Sequence, residues 1–265
     1  MPKLWPRKNR VQAENAEDER KHILSSDSNF YIREAYKTLR TNVCFSLPKQ
    51  GCHVFGVTSA EEHAGKSITA LNLAITLGEN GARVLLIDCD LRRPNIARLL
   101  NLKANPGLSN FLVGQTSEQE VVRNTDYPGL SVLLSGDIPP NPSELLGSSY
   151  MVEVLELFKQ KYDYVVLDMT PVNVVADASI LAPKIDGVVL VARQGQSRKD
   201  SFRSAIEQIE FVDAKILGVV LNDASTDSSG RYGNSKKYGY GYGYGYAASA
   251  GGRNTTRTGN RDGEK

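Results

Sequence analysis

The chain has 265 residues, of which 40% are apolar, which is enough for one sizeable α/β domain with unpacked ends. Its net charge of +2 gives no general case for nucleic acid as a partner. No stretch approaches the roughly 18 apolar residues that a membrane span needs, and the basic N-terminus lacks the apolar segment of a secretory signal. The three widely spaced cysteines predict neither a disulfide framework nor a zinc site, as is typical of a reducing cytoplasm.

The composition divides the chain into three regions. Residues 1–26 are polar and mixed in charge, and they predict a loose N-terminal arm. Residues 27–222 alternate apolar, β-branched runs with helical patterns. Residues 223–265 are rich in Ser, Gly, Thr, Asn and Arg, and have too few aliphatic side chains to offset the entropy of ordering, so they predict a flexible tail.

The predicted elements begin with a helix that Asp27 or Ser28 caps and that runs to about Phe45. The predicted strands are residues 54–58, 83–88, 131–134, 164–168, 187–192 and 216–221, and the helices between them are residues 66–80, 96–100, 143–161, 176–181 and 199–211. Continuous apolar strands separated by helices predict an α/β fold with a mostly parallel central sheet and helices on both faces. In such a sheet, ligands bind beyond the carboxyl ends of the strands.

The first strand runs into the segment TSAEEHAGKSITALNLA, in which Gly65-Lys66-Ser67 opens a helix. A phosphate chain needs inward-facing backbone N–H groups, a helix N-terminus, a lysine and a hydroxyl for Mg²⁺. We therefore expect Lys66 to bridge the β- and γ-phosphates and Ser67 to bind the metal. An ordinary strand–helix turn is the alternative interpretation.

The loop departs from the usual P-loop pattern, since Ala60 stands at the first glycine position and Glu61 and Glu62 add negative charge. At about 8 Å, each unit charge costs roughly 0.5 to 2 kcal/mol against a polyanion, which weakens nucleotide binding without preventing it. The predicted nucleotide contacts are the loop, the first turn of the helix and the end of the last strand: Glu62, His63, Ala64, Gly65, Lys66, Ser67, Ile68 and Asn222.

Three aspartates follow predicted strands. Asp88 and Asp90, in VLLIDCDLRRP, are two residues apart at a strand end and therefore point to the same side. One could take a proton from an acceptor hydroxyl while the other binds a metal. Asp168 ends the apolar run YVVLD and predicts a metal-binding carboxylate. A solvated turn with a helix cap is the alternative for the first pair.

The motifs GKS, LLIDCDLRRP and VVLDMTP together resemble the Walker A, A′ and B motifs of bacterial tyrosine kinases, which are deviant-Walker P-loop ATPases related to MinD and ParA proteins. The resemblance covers about residues 28–246. The lysine that MinD- and ParA-type loops carry near the start of the motif is absent, since Glu61 stands there, and this favours the kinase branch. The resemblance implies ATP and Mg²⁺ as cofactors, Asp88 as catalytic base beside Lys66, and Asp90 and Asp168 at the metal.

The N-terminal helix adds a further resemblance. Glu34, Lys37 and Arg40 are similar to the family's E-x-x-R-x-x-R oligomerisation motif, with Lys37 in the first arginine position. Solvated pairs within the helix are the alternative. The resemblance implies a ring-shaped homo-oligomer. It also implies a transmembrane adaptor that activates a cytoplasmic kinase and holds it at the membrane, and a role in capsule or exopolysaccharide synthesis.

The tail contains the run YGYGYGYGY, and six of the twelve tyrosines lie within fifteen residues: Tyr232, Tyr238, Tyr240, Tyr242, Tyr244 and Tyr246. The sixteen residues from Asn222 to Tyr238 have a root-mean-square reach of about 20–24 Å, which can serve a neighbour's active site. We therefore predict a protein-tyrosine kinase that phosphorylates its own tail in trans. A low-complexity segment without enzymology is the alternative for the tail. A MinD- or ParA-like positioning ATPase and an inactive pseudokinase are the alternatives for the protein.

Overall fold

The computed structural model describes residues 18–224. The strands are β1 His53–Ser59, β2 Val84–Asp88, β3 Val122–Asn124, β4 Leu130–Leu133, β5 Tyr164–Asp168, β6 Gly187–Arg193 and β7 Ile216–Asn222. The helices are α1 Phe30–Ser46, α2 Lys66–Glu79, α3 Ile96–Leu100, α4 Leu108–Leu112, α5 Glu118–Val121, α6 Pro142–Gly147, α7 Ser149–Lys159, α8 Asp177–Leu181 and α9 Lys199–Phe211, with a short 3₁₀ helix at Ala182–Lys184.

The strands form one sheet in the order β3-β4-β2-β5-β1-β6-β7. Strand β3 runs antiparallel to β4, and the other neighbouring strands are parallel. Successive residues of β1 enter two separate apolar clusters, Val54 in one and Phe55 in the other, so both faces of the sheet are covered. The predicted α/β fold with a mostly parallel sheet is confirmed, and it brings the carboxyl ends of β1, β2 and β5 to one edge.

Local differences from the predicted elements have simple causes. Asn29 caps α1 instead of Asp27 or Ser28, since its Oδ1 accepts a hydrogen bond from the Tyr31 backbone N–H at 2.8 Å. The single helix predicted over 143–161 is two helices, because Ser148 is extended and caps α7 with its hydroxyl. Strand β3 was not predicted, since its three residues are partly exposed and carry no apolar run.

Residues 18–26 pack on the domain. The prediction of a loose arm is therefore wrong for this part of the chain. The Leu24 backbone N–H donates to Asn72 Oδ1 at 2.9 Å, and Asn72 Nδ2 donates to the His22 carbonyl at 2.9 Å. The Leu24 side chain is buried, and Glu19 pairs with Arg98. The polar composition of the segment concealed these contacts, which depend on partners in α2 and α3.

The first part of the predicted arm and nearly all of the predicted tail lie outside the described residues. Residues 1–17 of the arm and residues 225–265 of the tail are in this group, so the flexible tail stays a prediction. Within residues 18–224, no helix combines the length and the apolar character needed to cross a membrane.

Candidate active site

The loop from β1 to α2 has a conformation that one glycine makes possible. Gly65 has a φ of +93°, and a Cβ at this position would lie 2.1 Å from Asn222 Nδ2. That amide donates to the Ala64 carbonyl at 3.0 Å, so the end of β7 supports the loop. His63 also lies in the left-handed region, at a φ of +63°, which glycine adopts at lower cost.

The structure therefore places the predicted nucleotide contacts together. Glu62, His63, Ala64 and Gly65 form the loop, and Lys66, Ser67 and Ile68 form the first turn of α2. Asn222 joins them from the far strand through its contact with Ala64. Whether Asn222 also contacts an adenine ring stays a prediction.

One ammonium group lies among the predicted acidic residues. Lys66 Nζ is 2.9 Å from Asp90 Oδ2 and 3.5 Å from Asp168 Oδ1. Ser67 Oγ lies 3.3 Å from the same nitrogen. Asp88 belongs to the same cluster, because it is the register partner of Asp168 on the adjacent parallel strand. Five residues that are scattered along the sequence thus meet at one edge of the sheet.

Burial sets the electrostatics of this cluster. Asp88 and Asp168 have no exposed surface, and Asp90 is 4% exposed. Burial raises the pKa of Asp88 well above 3.8, and the charge of Asp168 raises it further. Burial also raises the pKa of Asp168, although the Lys66 ammonium opposes this shift. Burial alone would lower the pKa of Lys66, but the carboxylates of Asp168 and Asp90 raise it above its usual value, so Lys66 stays charged.

Asp88 also shapes the loop that follows β2. Its Oδ1 accepts from the Asp90 backbone N–H at 3.2 Å, and its Oδ2 accepts from the Ile96 backbone N–H at 3.1 Å. These bonds fix the position of Asp90 and the start of α3. Because each carboxylate oxygen has further lone-pair capacity, Asp88 can still accept a proton from a substrate hydroxyl. Its role as catalytic base stays a prediction.

The donor set fits a magnesium ion that binds together with phosphate. In the part of the chain that the structure describes, no group of three or more His, Cys, Asp or Glu side chains is arranged to hold a metal. Mg²⁺ is usually held through one or two carboxylates, waters and substrate phosphates instead. Both carboxylate oxygens of Asp168 are buried and lack a close hydrogen-bond partner in residues 18–224, since Lys66 Nζ is 3.5 Å from Oδ1, so they are suited to a metal ion. We expect Ser67, Asp90 and Asp168 to hold the ion and the ion to neutralise phosphate charge.

Two arginines of this site were not predicted. Arg92 donates to the buried Asp177 from Nε at 2.7 Å, and this ties the loop after β2 to α8. Arg93 Nη1 lies 2.5 Å from Glu62 Oε2, so the charge that was expected to repel phosphate has a partner. The Arg-Arg pair directly after the second aspartate was the available signal, but the partners of these arginines depend on loop geometry.

The predicted oligomerisation residues lie away from this cluster. Lys37 Nζ pairs with Glu34 Oε1 at 2.6 Å within α1, which is the solvated pair that the alternative anticipated. Arg40 Nη1 donates to the Thr76 carbonyl at 3.0 Å. Thr76 is ten residues beyond Lys66 in α2, about 15 Å along the helix axis. The predicted phosphorylation sites, Tyr232, Tyr238, Tyr240, Tyr242, Tyr244 and Tyr246, lie outside the described residues.

Replacing Lys66 by Met is expected to lower the free energy of unfolding by about 1–3 kcal/mol near pH 8, because buried carboxylates lose their counter-ion. The raised pKa values of Asp88 and Asp168 mean that the folded state keeps their protons to higher pH than the unfolded state does. The stability that Lys66→Met loses is therefore smallest at acid pH, and this loss grows as the pH rises through the folded-state pKa values of Asp88 and Asp168.

Urea unfolding across a range of pH measures this deficit. The matched control is Lys159→Met, which removes a lysine from an exposed pair with Glu156 and should cost little at any pH. A Lys66→Met variant that is as stable as this control at every pH would contradict the assignment of Lys66 as the counter-ion of the cluster.

Comparison with known proteins agrees with this geometry. A family model described as an AAA domain matches residues 52–215. The tyrosine-protein kinase YwqD of Bacillus subtilis (strain 168) is 38% identical over 200 residues, which are 76% of this chain and 84% of that protein. The tyrosine-protein kinase CpsD of Streptococcus agalactiae is 35% identical over 207 residues, 78% of this chain and 89% of that protein.

A solved structure agrees with the sequence relatives. The kinase domain of the Escherichia coli tyrosine kinase ETK superposes with a TM-score of 0.72 at 31% identity, and the match covers 79% of this chain and 80% of that one. In each of these comparisons the match covers most of this chain and most of the other protein or chain. Because relatives more than 30% identical and a solved kinase domain each match over more than three quarters of this chain, the chain belongs to the bacterial tyrosine-protein kinases.

Proposed function

We propose that this tyrosine kinase transfers the γ-phosphoryl group of Mg-ATP to the tyrosine cluster of its own C-terminal tail, and that it does so between subunits. The observation that carries the proposal is the position of Lys66, which lies within 3.5 Å of both Asp90 and Asp168 at the mouth of a P-loop. A nucleotide and its metal ion together can take over the charge compensation that these groups now provide for one another.

Each residue then has a defined task. Lys66 would leave Asp90 to bind the β- and γ-phosphates, and Ser67, Asp90 and Asp168 would hold a magnesium ion that neutralises phosphate charge. A tyrosine hydroxyl attacks the γ-phosphorus, and the bond from this phosphorus to the β–γ bridging oxygen breaks, so ADP leaves. Asp88 takes the hydroxyl proton. Burial raises the pKa of Asp88, so its ionised carboxylate is a stronger base than that of an exposed aspartate.

The start of the tail favours its own tyrosines as substrate. Strand β7 ends at Asn222, whose side chain contacts the P-loop, so the chain leaves the domain at the rim of the site. The sixteen residues that follow, up to Tyr238, can span about 53–58 Å when fully extended. This reach is enough for the active site of a neighbouring subunit. Other protein tyrosines are possible substrates of the same chemistry.

Phosphotyrosine immunoblotting tests the proposed reaction. Wild-type protein with Mg-ATP and an activating adaptor peptide should become tyrosine-phosphorylated, whereas Lys66→Met and Asp88→Asn should lose most of the signal. A mixture then tests transfer between subunits. Lys66→Met, with an intact tail, is combined with an active variant in which all six tail tyrosines are Phe, and label on the Lys66→Met chain is expected.

The outcomes separate the alternatives. If the wild type is labelled but the Lys66→Met chain in the mixture is not, transfer occurs within one chain. That result would contradict the intersubunit step. ATP hydrolysis without phosphotyrosine would favour a positioning ATPase. The absence of both activities would favour a pseudokinase. The sequence basis for that alternative is the departure from the usual P-loop pattern at Ala60, Glu62 and His63.

We further propose that the kinase works as a ring at the cytoplasmic side of the membrane, held by a transmembrane adaptor, and that it regulates capsule or exopolysaccharide synthesis. The resemblance of the α1 motif supports the ring. Glu34 and Lys37 are each 44% exposed and can exchange their mutual pair for contacts with a neighbouring subunit. Phe30 and Tyr31, at the start of the same helix, are also exposed and add apolar contact area.

Phosphorylation is expected to dissociate the ring. The segment from Gly230 onward has seven basic and two acidic residues, so it carries +5 against −3 for the rest of the chain. Six phosphotyrosines add about −9 to −12 and reverse the sign of the tail, which then leaves an acidic neighbouring site. Light scattering should report a smaller mass for the fully phosphorylated protein than for the unmodified one. Equal masses would contradict this switch.

A further inference from the structure

An ion pair crosses from the P-loop to the loop that follows β2. Arg93 Nη1 lies 2.5 Å from Glu62 Oε2. Glu62 is four residues before Lys66, and Arg93 is three residues after Asp90, so the pair joins the two loops that carry the central lysine–carboxylate contact.

The backbone holds Arg93 beside the cluster, whereas its side chain extends into solvent. The Arg93 backbone N–H donates to Asp90 Oδ1 at 2.9 Å, on the carboxylate that pairs with Lys66. The preceding residue, Arg92, is tied to the buried Asp177, which anchors the loop. The Arg93 side chain itself is 74% exposed, and Glu62 is its one ion-pair partner in the part of the chain that the structure describes.

The chemistry of the two partners favours an exchange. A guanidinium binds phosphate oxygens through two parallel N–H groups, and an ATP phosphate chain carries more negative charge than one carboxylate. The pair with Glu62 is weak in comparison, because both side chains are accessible to solvent. A phosphate chain at Lys66 would also repel Glu62, so one event weakens the old contact of Arg93 and offers a stronger one.

We propose that Arg93 is a further phosphate-binding residue of this kinase, and that Glu62 holds it aside until a nucleotide enters. The inference rests on the proposed nucleotide site at Lys66. Nucleotide binding moves the Arg93 guanidinium from the Glu62 carboxylate to the phosphate chain. Glu62 then lowers nucleotide affinity in two ways, because it competes with the phosphates for Arg93 and also repels them.

Calorimetry of Mg-ATP binding to four proteins tests the exchange: the wild type, Glu62→Gln, Arg93→Gln and the double variant. Glu62→Gln is expected to bind ATP about three- to tenfold more tightly than the wild type, because Arg93 is released in advance. Arg93→Gln is expected to bind about tenfold more weakly. In the Glu62→Gln background, removing Arg93 should still cost about tenfold.

The comparison of Glu62→Gln with the double variant decides the question. If Arg93 only neutralises Glu62, these two proteins bind ATP equally, and that result overturns the proposal. Arg83→Gln is the matched control, since it removes an exposed, paired arginine that precedes β2, at the opposite edge of the sheet, and should leave affinity unchanged. A wild type that binds no ATP would overturn the nucleotide site and this proposal together. Binding by the wild type that Lys66→Met abolishes supports the nucleotide site independently of Arg93.

Discussion

The contact on which this structure depends joins the Lys66 ammonium group to the carboxylates of Asp90 and Asp168, beside the buried Asp88, at the carboxyl ends of the strands. Asp88 and Asp168 are register partners on adjacent strands and are fully buried, so their charges would oppose folding without Lys66. The same requirement underlies the proposed function. A cluster that needs positive charge in the resting state can accept a magnesium ion when a nucleotide engages the lysine.

The loops around this cluster connect the fold to the chemistry. Asp88 receives two backbone N–H groups from the loop after β2, so the residue proposed as base also positions Asp90. Asn222 supports the P-loop from the last strand, and the tail begins at the next residues. The P-loop and the end of the last strand therefore support each other.

Much of this arrangement follows from sequence patterns, because buried parallel strands are read directly from continuous apolar runs. The positions of Lys66, Asp88 and Asp168 at strand and helix ends then place them at one edge. Other features depend on distant partners that no local pattern reveals. The docking of Leu24 on Asn72 is one case, and the pairing of Arg93 with Glu62 is another. Strand β3 is too short and too exposed to carry a periodic signal.

The most direct measurement of the central claim is a crystal structure of the protein with Mg²⁺ and a non-hydrolysable ATP analogue. The account predicts that Lys66 Nζ leaves Asp90 and contacts the β- and γ-phosphates, with Ser67, Asp90 and Asp168 around the metal ion, directly or through water. An analogue bound away from the P-loop, or a Lys66 that stays paired with Asp90 while the nucleotide is present, would contradict it.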